Sequence, residues 1–519
     1  MTRLDFTHTA FNTESSSDTS TSHHLQMETV LLLLVTILTM VYLWFKHKYS
    51  YWSSRGLTQP PTVLGCGNIV DSLLMRKNIG LVYDQIYRDY PDCEAVGVYG
   101  IYTPSLLVRC PQLIQKVMAS NFSNFHDNEF TVSKKLDPYF HEDPFCLKGE
   151  EWKQNRAKIA STMTSSRTKE IFPLMKEVVS RLEAYLQKHC GEDIEAKDLA
   201  TLFTMDNVSN TALGINSDCF SDPNAVFRKV CIMLTKEQLQ VWWKTTILLL
   251  MPRLRNFIRM RFVPPVVNDY VESVVQDMVQ YRRKNNVNRN DLFQYFMKKS
   301  GDDYKELMFY AMTFFLEAFE TSSIVASYTL LELAINSHVQ DRLFEELHGA
   351  FGDKEDIDYD TLNNLSYLDK VLLESQRKYP AVYHMIRECT KTIDLDINGK
   401  TLTVETGTPV IIPVLSLHRD AKYYPEPDVF DPERFSDEVK QTRPQYTYMP
   451  FGEGPRICPG IRFGMVQIKL FIAHVVYNYR ILRCEKTPEK LTFATGAFLA
   501  IPNEQEWIRI EKRKRDVMK

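Results

Sequence analysis

Short-spaced cysteine pairs are missing from this chain. Its ten cysteines, from Cys66 to Cys484, are scattered along 519 residues, which excludes a zinc module and a secreted disulfide scaffold and suits a reducing compartment. An excess of charge of either sign is missing too. Lysine plus arginine number 62 against 65 for aspartate plus glutamate, a balance that argues against nucleic acid as a partner. No internal repeat is evident, so a solenoid is not expected. What the chain does have is 44% hydrophobic and 12% aromatic residues, enough to bury a large core within one domain.

Met27 to Phe45 is a nearly unbroken apolar run of 19 residues, which as a helix spans about 28 Å at ~1.5 Å per residue, close to a bilayer core. No small-residue cleavage site follows it. Lys46, Lys48 and Arg55 follow instead, so the run reads as a signal anchor that leaves the rest of the chain in the cytosol. Residues 1–26 are polar, Ser/Thr-rich and without an apolar period, and are expected to be a disordered extension, with Met27 as an alternative start. Residues 46–62 are a basic linker stiffened by Pro60-Pro61. One domain covers 63–511, and 512–519 is a basic tail. Within the domain, Val241-Trp242-Trp243 through Pro252, followed by Arg253, Arg255, Arg259 and Arg261, mixes aromatic, aliphatic and cationic side chains. It suits either a segment dipping into the membrane interface or a buried helix pair.

Glu94 to Arg109 reads as two β-rich runs meeting near Tyr99-Gly100, and Asn398-Gly399 marks a two-residue hairpin turn within 393–414. Most of the remainder is helical. Leu307 to Ala334 is apolar on nearly every face, the pattern of a helix buried through the centre of a domain. Further helices are expected over 330–351, 365–378 and 460–479. The fold class is mainly α with small β-sheets.

The sharpest local signal is Phe451-Gly452-Glu453-Gly454-Pro455-Arg456-Ile457-Cys458-Pro459-Gly460. It sets one cysteine in a glycine-rich loop before a long helix. A thiolate that ligates haem iron needs backbone N–H donors around its sulfur, and glycine lets the backbone approach closely enough to provide them. Arg456 is then placed for a haem propionate and Phe451 to cover the sulfur. The segment resembles the cysteine loop of the cytochrome P-450 monooxygenases. The resemblance extends to Glu374-Ser375-Gln376-Arg377 for the family's Glu-x-x-Arg helix, to Pro432-Glu433-Arg434-Phe435, and to Trp152-Lys153-Gln154-Asn155-Arg156 for its Trp-x-x-x-Arg. It runs from about Tyr49 to Glu511, with local wording closest to the insect microsomal xenobiotic-metabolising branch.

That resemblance implies a triangular-prism fold behind a transmembrane anchor in the endoplasmic reticulum. It implies haem b with Cys458 as the axial ligand to iron, and Phe451, Gly454, Arg456, Gly460, Trp152, Arg156 and Arg387 around the cofactor. Glu374, Arg377 and Arg434 would form a buried ion network. Glu317-Ala318-Phe319-Glu320-Thr321-Ser322 matches the oxygen-activating segment, which assigns proton relay to Glu320 and Thr321 with Ser322 in support. The segment departs from the family at Glu317 and Ala318, where Ala or Gly and then Gly are usual. Its helix is therefore expected to be less kinked, and Glu317 to be either a neutral or water-linked acid or an ester to a haem methyl. Phe309, Phe314, Phe315, 381–384 and 495–498 are candidate pocket walls. His384 and His418 are expected to be ordinary hydrogen-bonded residues rather than ligands.

Implied partners are an NADPH-dependent flavoprotein reductase, cytochrome b5, membrane lipid and a lipophilic small-molecule substrate. Lys148, Lys153, Lys158, Arg167, Lys169, Arg462 and Lys469 are candidates for a basic docking face. Two other readings stay open: an enzyme that rearranges peroxides without external electrons, and a catalytically silent haem-binding or ligand-sequestering membrane protein.

Overall fold

The computed structural model describes residues 17–240, 261–352 and 357–513. The elements that position the site are, in chain order, helix α1 (Ser17–Lys48), strands β1 (Ala95–Gly100), β2 (Thr103–Val108) and β3 (Asp127–Asn128), helix α2 (Gly149–Thr162), strand β4 (Asp193–Glu195) and helix α3 (Ala196–Val208). Then come α4 (Tyr304–Glu317), α5 (Glu320–Ile335), α6 (Ser337–Phe351) and α7 (Ser366–Lys378). Strands β5 (Met385–Glu388), β6 (Ile393–Ile397), β7 (Lys400–Val404) and β8 (Pro409–Ile412), helix α8 (Ile461–Asn478), and strands β9 (Tyr479–Leu482) and β10 (Trp507–Lys512) complete the set. Helices dominate, and the strands form three small sheets ordered β1-β2-β8-β5-β3, β4-β10-β9 and β6-β7. The expected fold class is correct.

Helix α1 has no core to cover. Its apolar side chains stand in the open, Leu32 at 68% exposed and Leu38 at 66%, and it is the one described helix long and apolar enough to cross a membrane. It starts ten residues before the expected anchor, so the polar 17–26 stretch is helical rather than disordered. Residues 1–16 and 514–519, and nearly all of the 241–261 segment, lie outside the described residues.

Both hairpin expectations hold, with one shift of turn. Gly100 pairs with Thr103, so the first turn is Ile101-Tyr102, with Ile101 at φ 56°. The second turns on Asn398 (φ 53°) and Gly399 (φ 70°), the double left-handed geometry that Asn-Gly favours. The helices share one apolar core, while the five-stranded sheet packs a second around Trp52, Tyr99 and Val108.

The long central helix is not continuous. It breaks between α4 and α5 at Ala318-Phe319, against the expectation that losing the family's glycine would straighten it. The released carbonyls explain why. The Thr321 hydroxyl donates to the carbonyl of Glu317 (3.0 Å) and the Gln467 amide to that of Ala318 (3.1 Å). Side chains therefore take the place of the missing helical donors, a known way to stabilise a helix break. The chain breaks again at Asn336, so α6 is separate from α5 rather than a continuation of it.

Candidate active site

The cysteine loop is held from below by groups distant in sequence. His418 Nε2 accepts the Met449 N–H (2.9 Å) and the Tyr448 hydroxyl donates to the Leu373 carbonyl on α7 (3.0 Å). Within the loop the Cys458 N–H donates to the Phe451 carbonyl (2.9 Å). Gly454 cannot be replaced cheaply. It sits at φ 71°, and a Cβ there would lie 2.0 Å from the Met118 carbonyl oxygen. Beneath the loop, Glu374 and Arg377 pair at 2.7 Å with both side chains fully buried, and Arg434 approaches Glu374 at 3.4 Å. The expected ion network is thus assembled. Arg377 also donates to the carbonyls of His418 and Pro427, which ties α7 to the segment leading into the loop.

Above the loop lies a cavity of about 310 Å³. Cys458, Phe451 and Gly460 form part of its floor, and Trp152, Arg156, Arg387 and Arg456 stand along one side. The Cys458 side chain is exposed to this space and surrounded by protein elsewhere. Burial therefore pushes its thiol up to about 11, with Glu317 and Asp143 adding to the rise, while the Gly460 N–H and the Arg156 charge oppose it. Such a sulfur keeps its proton until a bound metal ion takes the proton's place.

Three guanidinium groups crowd the cavity wall. Arg456 lies 4.3 Å from the Trp152 ring centre, donates to the carbonyls of His126, Pro144 and Leu147, and pairs with Asp127 at 3.4 Å. Arg156 donates to the Ile457 carbonyl next to the cysteine, and Arg387 to Asn128. Burial lowers Arg456 to about 9, with the Arg387 charge adding to the effect, and lowers Arg387 to about 10. The buried Arg387 Nε has no hydrogen-bond partner. Desolvated, mutually repelling cations with an orphaned donor fit a dianionic group such as the paired propionates of haem, and Cys458 fits its iron. The residues present therefore suit a haem-thiolate centre.

The roof is less uniform. Thr321, Ser322, Glu317 and Ala318 all line the cavity, but Glu320 does not. Glu320 turns away and pairs with Lys197 of α3 at 3.1 Å; that geometry is an ion pair without a well-aligned hydrogen bond, since Glu320 Oε1 has no hydrogen-bond partner. Ser322 accepts from Gln467 (2.6 Å), whose own carbonyl oxygen accepts from Asn207 (2.8 Å). Of the expected pocket walls, Phe314, Ala381, Val382, His384 and Phe498 face the cavity, whereas Phe309 and Phe315 belong to the helical core. His384 is kept neutral by burial, which lowers it to about 4.

Sequence reading missed four contributors. Asp127 orders both Arg456 and the Gly149 N–H at the start of α2. Gln467 and Asp143 are two others, outside any contiguous motif, and the last is the structural part of His418, which was expected to be an ordinary hydrogen-bonded residue and is one, accepting the Met449 N–H. Asp143 and Glu317 share the roof; burial raises Asp143 to about 6, and burial with the Asp143 charge raises Glu317 to about 8. The proposed basic docking face is also smaller than expected. Lys148, Lys158, Arg167, Lys169 and Lys469 are paired to Glu388, Glu306, Glu170, Asp360 and Asp369, and Lys469 is buried besides.

Comparison with known proteins agrees with this geometry. The family described as Cytochrome P450 matches residues 58–509. Probable cytochrome P450 6a13 of Drosophila melanogaster is 34% identical, with 94% of this chain and 100% of the relative aligned. Probable cytochrome P450 28a5 of the same insect is 32% identical over 93% of this chain and 99% of the relative, and cytochrome P450 6j1 of Blattella germanica 31% over 88% and 93%. With a cysteine facing a cation-lined cavity and similarity along almost its whole length to insect relatives, the chain belongs to the cytochrome P450 family and is a haem-dependent monooxygenase.

Proposed function

We propose that this enzyme is anchored in the endoplasmic reticulum membrane by α1, with its domain on the cytosolic face. It inserts one oxygen atom of O2 into lipophilic small molecules, xenobiotic or endogenous, while electrons from NADPH arrive through a flavoprotein reductase and, in some turnovers, cytochrome b5. The observation that carries the reading is that Cys458 and Thr321 line one cavity. The bound haem supplies oxygen activation. The chain's own residues do the rest. Cys458 presents its sulfur with the Gly460 N–H beside it, Arg156, Arg387 and Arg456 hold the cofactor's anionic edge, and the apolar wall of Phe314, Phe463 and Phe498 keeps bulk water out.

Thr321 lines the cavity, and its hydroxyl proton, given at rest to the Glu317 carbonyl, must turn away from that carbonyl to serve the cavity. Glu320, in the ion pair with Lys197, and Ser322, bonded to Gln467, flank it. In this reading Glu320 passes protons inward from the α3 side rather than from within the cavity. Glu317 stays a free carboxyl, because burial and the Asp143 charge favour its neutral, protonated form without need of an ester. Haem extracted with acid after turnover should therefore leave the polypeptide with unmodified mass.

Reduced enzyme with carbon monoxide should show the red-shifted Soret band of thiolate ligation, and Cys458→Ala should abolish it. Product formation that needs both NADPH and the reductase separates this reading from peroxide rearrangement and from a silent haem binder. Turnover without added electrons would overturn it.

A further inference from the structure

Among the described residues, Asp143 and Glu317 meet no cation. Asp143 is 3% exposed, and its Oδ1 accepts the Phe145 N–H (2.7 Å), while the buried Oδ2 has no hydrogen-bond partner although the residue lines the cavity. The groups acting on its charge are the Phe145 N–H and the Thr313 hydroxyl, and the charge acting on Glu317 is that of Asp143. The other ionisable side chains lining the cavity, among the described residues, are Glu129, Arg156, His384, Arg387, Arg456 and Cys458. The three arginines are directed to the Ile457 carbonyl, to Asn128 and to the Asp127 region. His384 is neutral and Glu129 is a third acid.

Aromatic rings line the same cavity as the pair. Phe145, two residues from Asp143, lies 5.3 Å from Phe130 and 5.9 Å from Phe498, centre to centre. A buried carboxyl such as Asp143 without a counter-ion is costly, Glu317 is exposed to the cavity, and an acid in a cavity walled by aromatic rings is suited to an organic cation.

We propose that the Asp143–Glu317 pair is the subsite for the positively charged end of a lipophilic ammonium compound, so that this enzyme prefers protonated or quaternary amines whose apolar remainder lies along the aromatic wall over Cys458. This rests on the cavity being the substrate chamber of the monooxygenase. Asp143 Oδ2 is the fixed anchor, because Oδ1 is already used locally. Glu317, a helical turn from Thr313 on the broken helix, closes the subsite from above and sets the distance between the cationic head and the oxidised carbon.

The test is equilibrium dialysis of haem-loaded, full-length protein with phenylbutyl-trimethylammonium, a permanent cation that cannot ligate iron, against its neutral isostere carrying tert-butyl in place of trimethylammonium. The wild type should bind the cation at least about tenfold tighter than the isostere, about 1.4 kcal/mol. Asp143→Asn retains the acceptor for the Phe145 N–H and should bring the two probes to parity, and Glu317→Gln should cut the preference severalfold. Equal binding of both probes by the wild type overturns the proposal, as does a preference that survives both substitutions. Carbon monoxide spectra of the same preparations report separately on the haem reading, so a lost thiolate band would count against that reading while the dialysis still decides the subsite.

Discussion

In the proposed mechanism Thr321 is the residue on which coupling depends. Its hydroxyl is the one in the break segment that both lines the cavity and bonds a released carbonyl, so removing it deletes a proton carrier and a helix-break ligand together. Thr321→Ala should still consume NADPH but form less product per cofactor, with the balance released as peroxide; unchanged coupling moves the relay elsewhere. His418 is legible only in the folded chain. It is fully buried, accepts the Met449 N–H, and is lowered to about 3, first by burial and then by the Arg377 charge. A histidine with a depressed folded pKa binds fewer protons when folded than when unfolded between about 6.5 and about 3. Stability is therefore lost as pH falls through that window, by up to roughly 1.4 kcal/mol per pH unit. His418→Gln should flatten the fall in urea midpoint over this range relative to wild type, and an unchanged slope would remove His418 from the account. The contrast between Cys458 and Asp143 shows where legibility ends. Cys458 is embedded in ten residues whose spacing carries its chemistry, whereas Asp143 acquires meaning only because chain folding brings α4 against it, which no local pattern records.

Among elements, the broken central helix shows the same division. Its apolar period revealed a buried helix, and the Glu-x-x-Arg and cysteine-loop helices fell within a residue or two of expectation. Its break was misjudged, because the sequence argument weighed only Ala318 against glycine. What decides it is Gln467 of α8, which donates to the Ala318 carbonyl and to Ser322 while accepting from Asn207 of α3. One amide thus joins three helices at the roof. Gln467→Leu would keep the volume yet leave the buried Asn207 amide and the Ala318 carbonyl unpaired, at about 1–3 kcal/mol each. We expect a loss of about 2–6 kcal/mol in urea unfolding and a weaker substrate-induced spectral shift. A substitution within about 0.5 kcal/mol of wild type would show that the break does not need this bond.

For the whole molecule, the proposed orientation rests on the charges at the junction between α1 and the domain. The end of α1 does not float free. Trp44 and Phe45 pack toward Tyr102 and Tyr49, at 5.7 and 5.6 Å between ring centres, and Tyr49 donates to the Ile101 carbonyl (2.8 Å). The β1-β2 turn therefore lies beside the C-terminal end of the helix, and Lys46 and Lys48 fall on the domain side of the apolar run, the side that would be retained in the cytosol if α1 spans the membrane as proposed. Three Asn-x-Ser sequons, at Asn121, Asn207 and Asn364, can report on this, though not equally. Asn207 is fully buried with its amide bonded to Gln467, so it would escape glycosylation on either side of the membrane. Asn364 is exposed and Asn121 half-buried, and a lumenal domain would offer both to the transferase. Microsomal protein should show no mobility shift on endoglycosidase treatment, whereas the same domain behind a cleaved secretory leader should gain glycan at Asn364 first. A shift in the native protein would place the domain in the lumen, away from a cytosolic reductase, and overturn the proposed electron supply along with the topology.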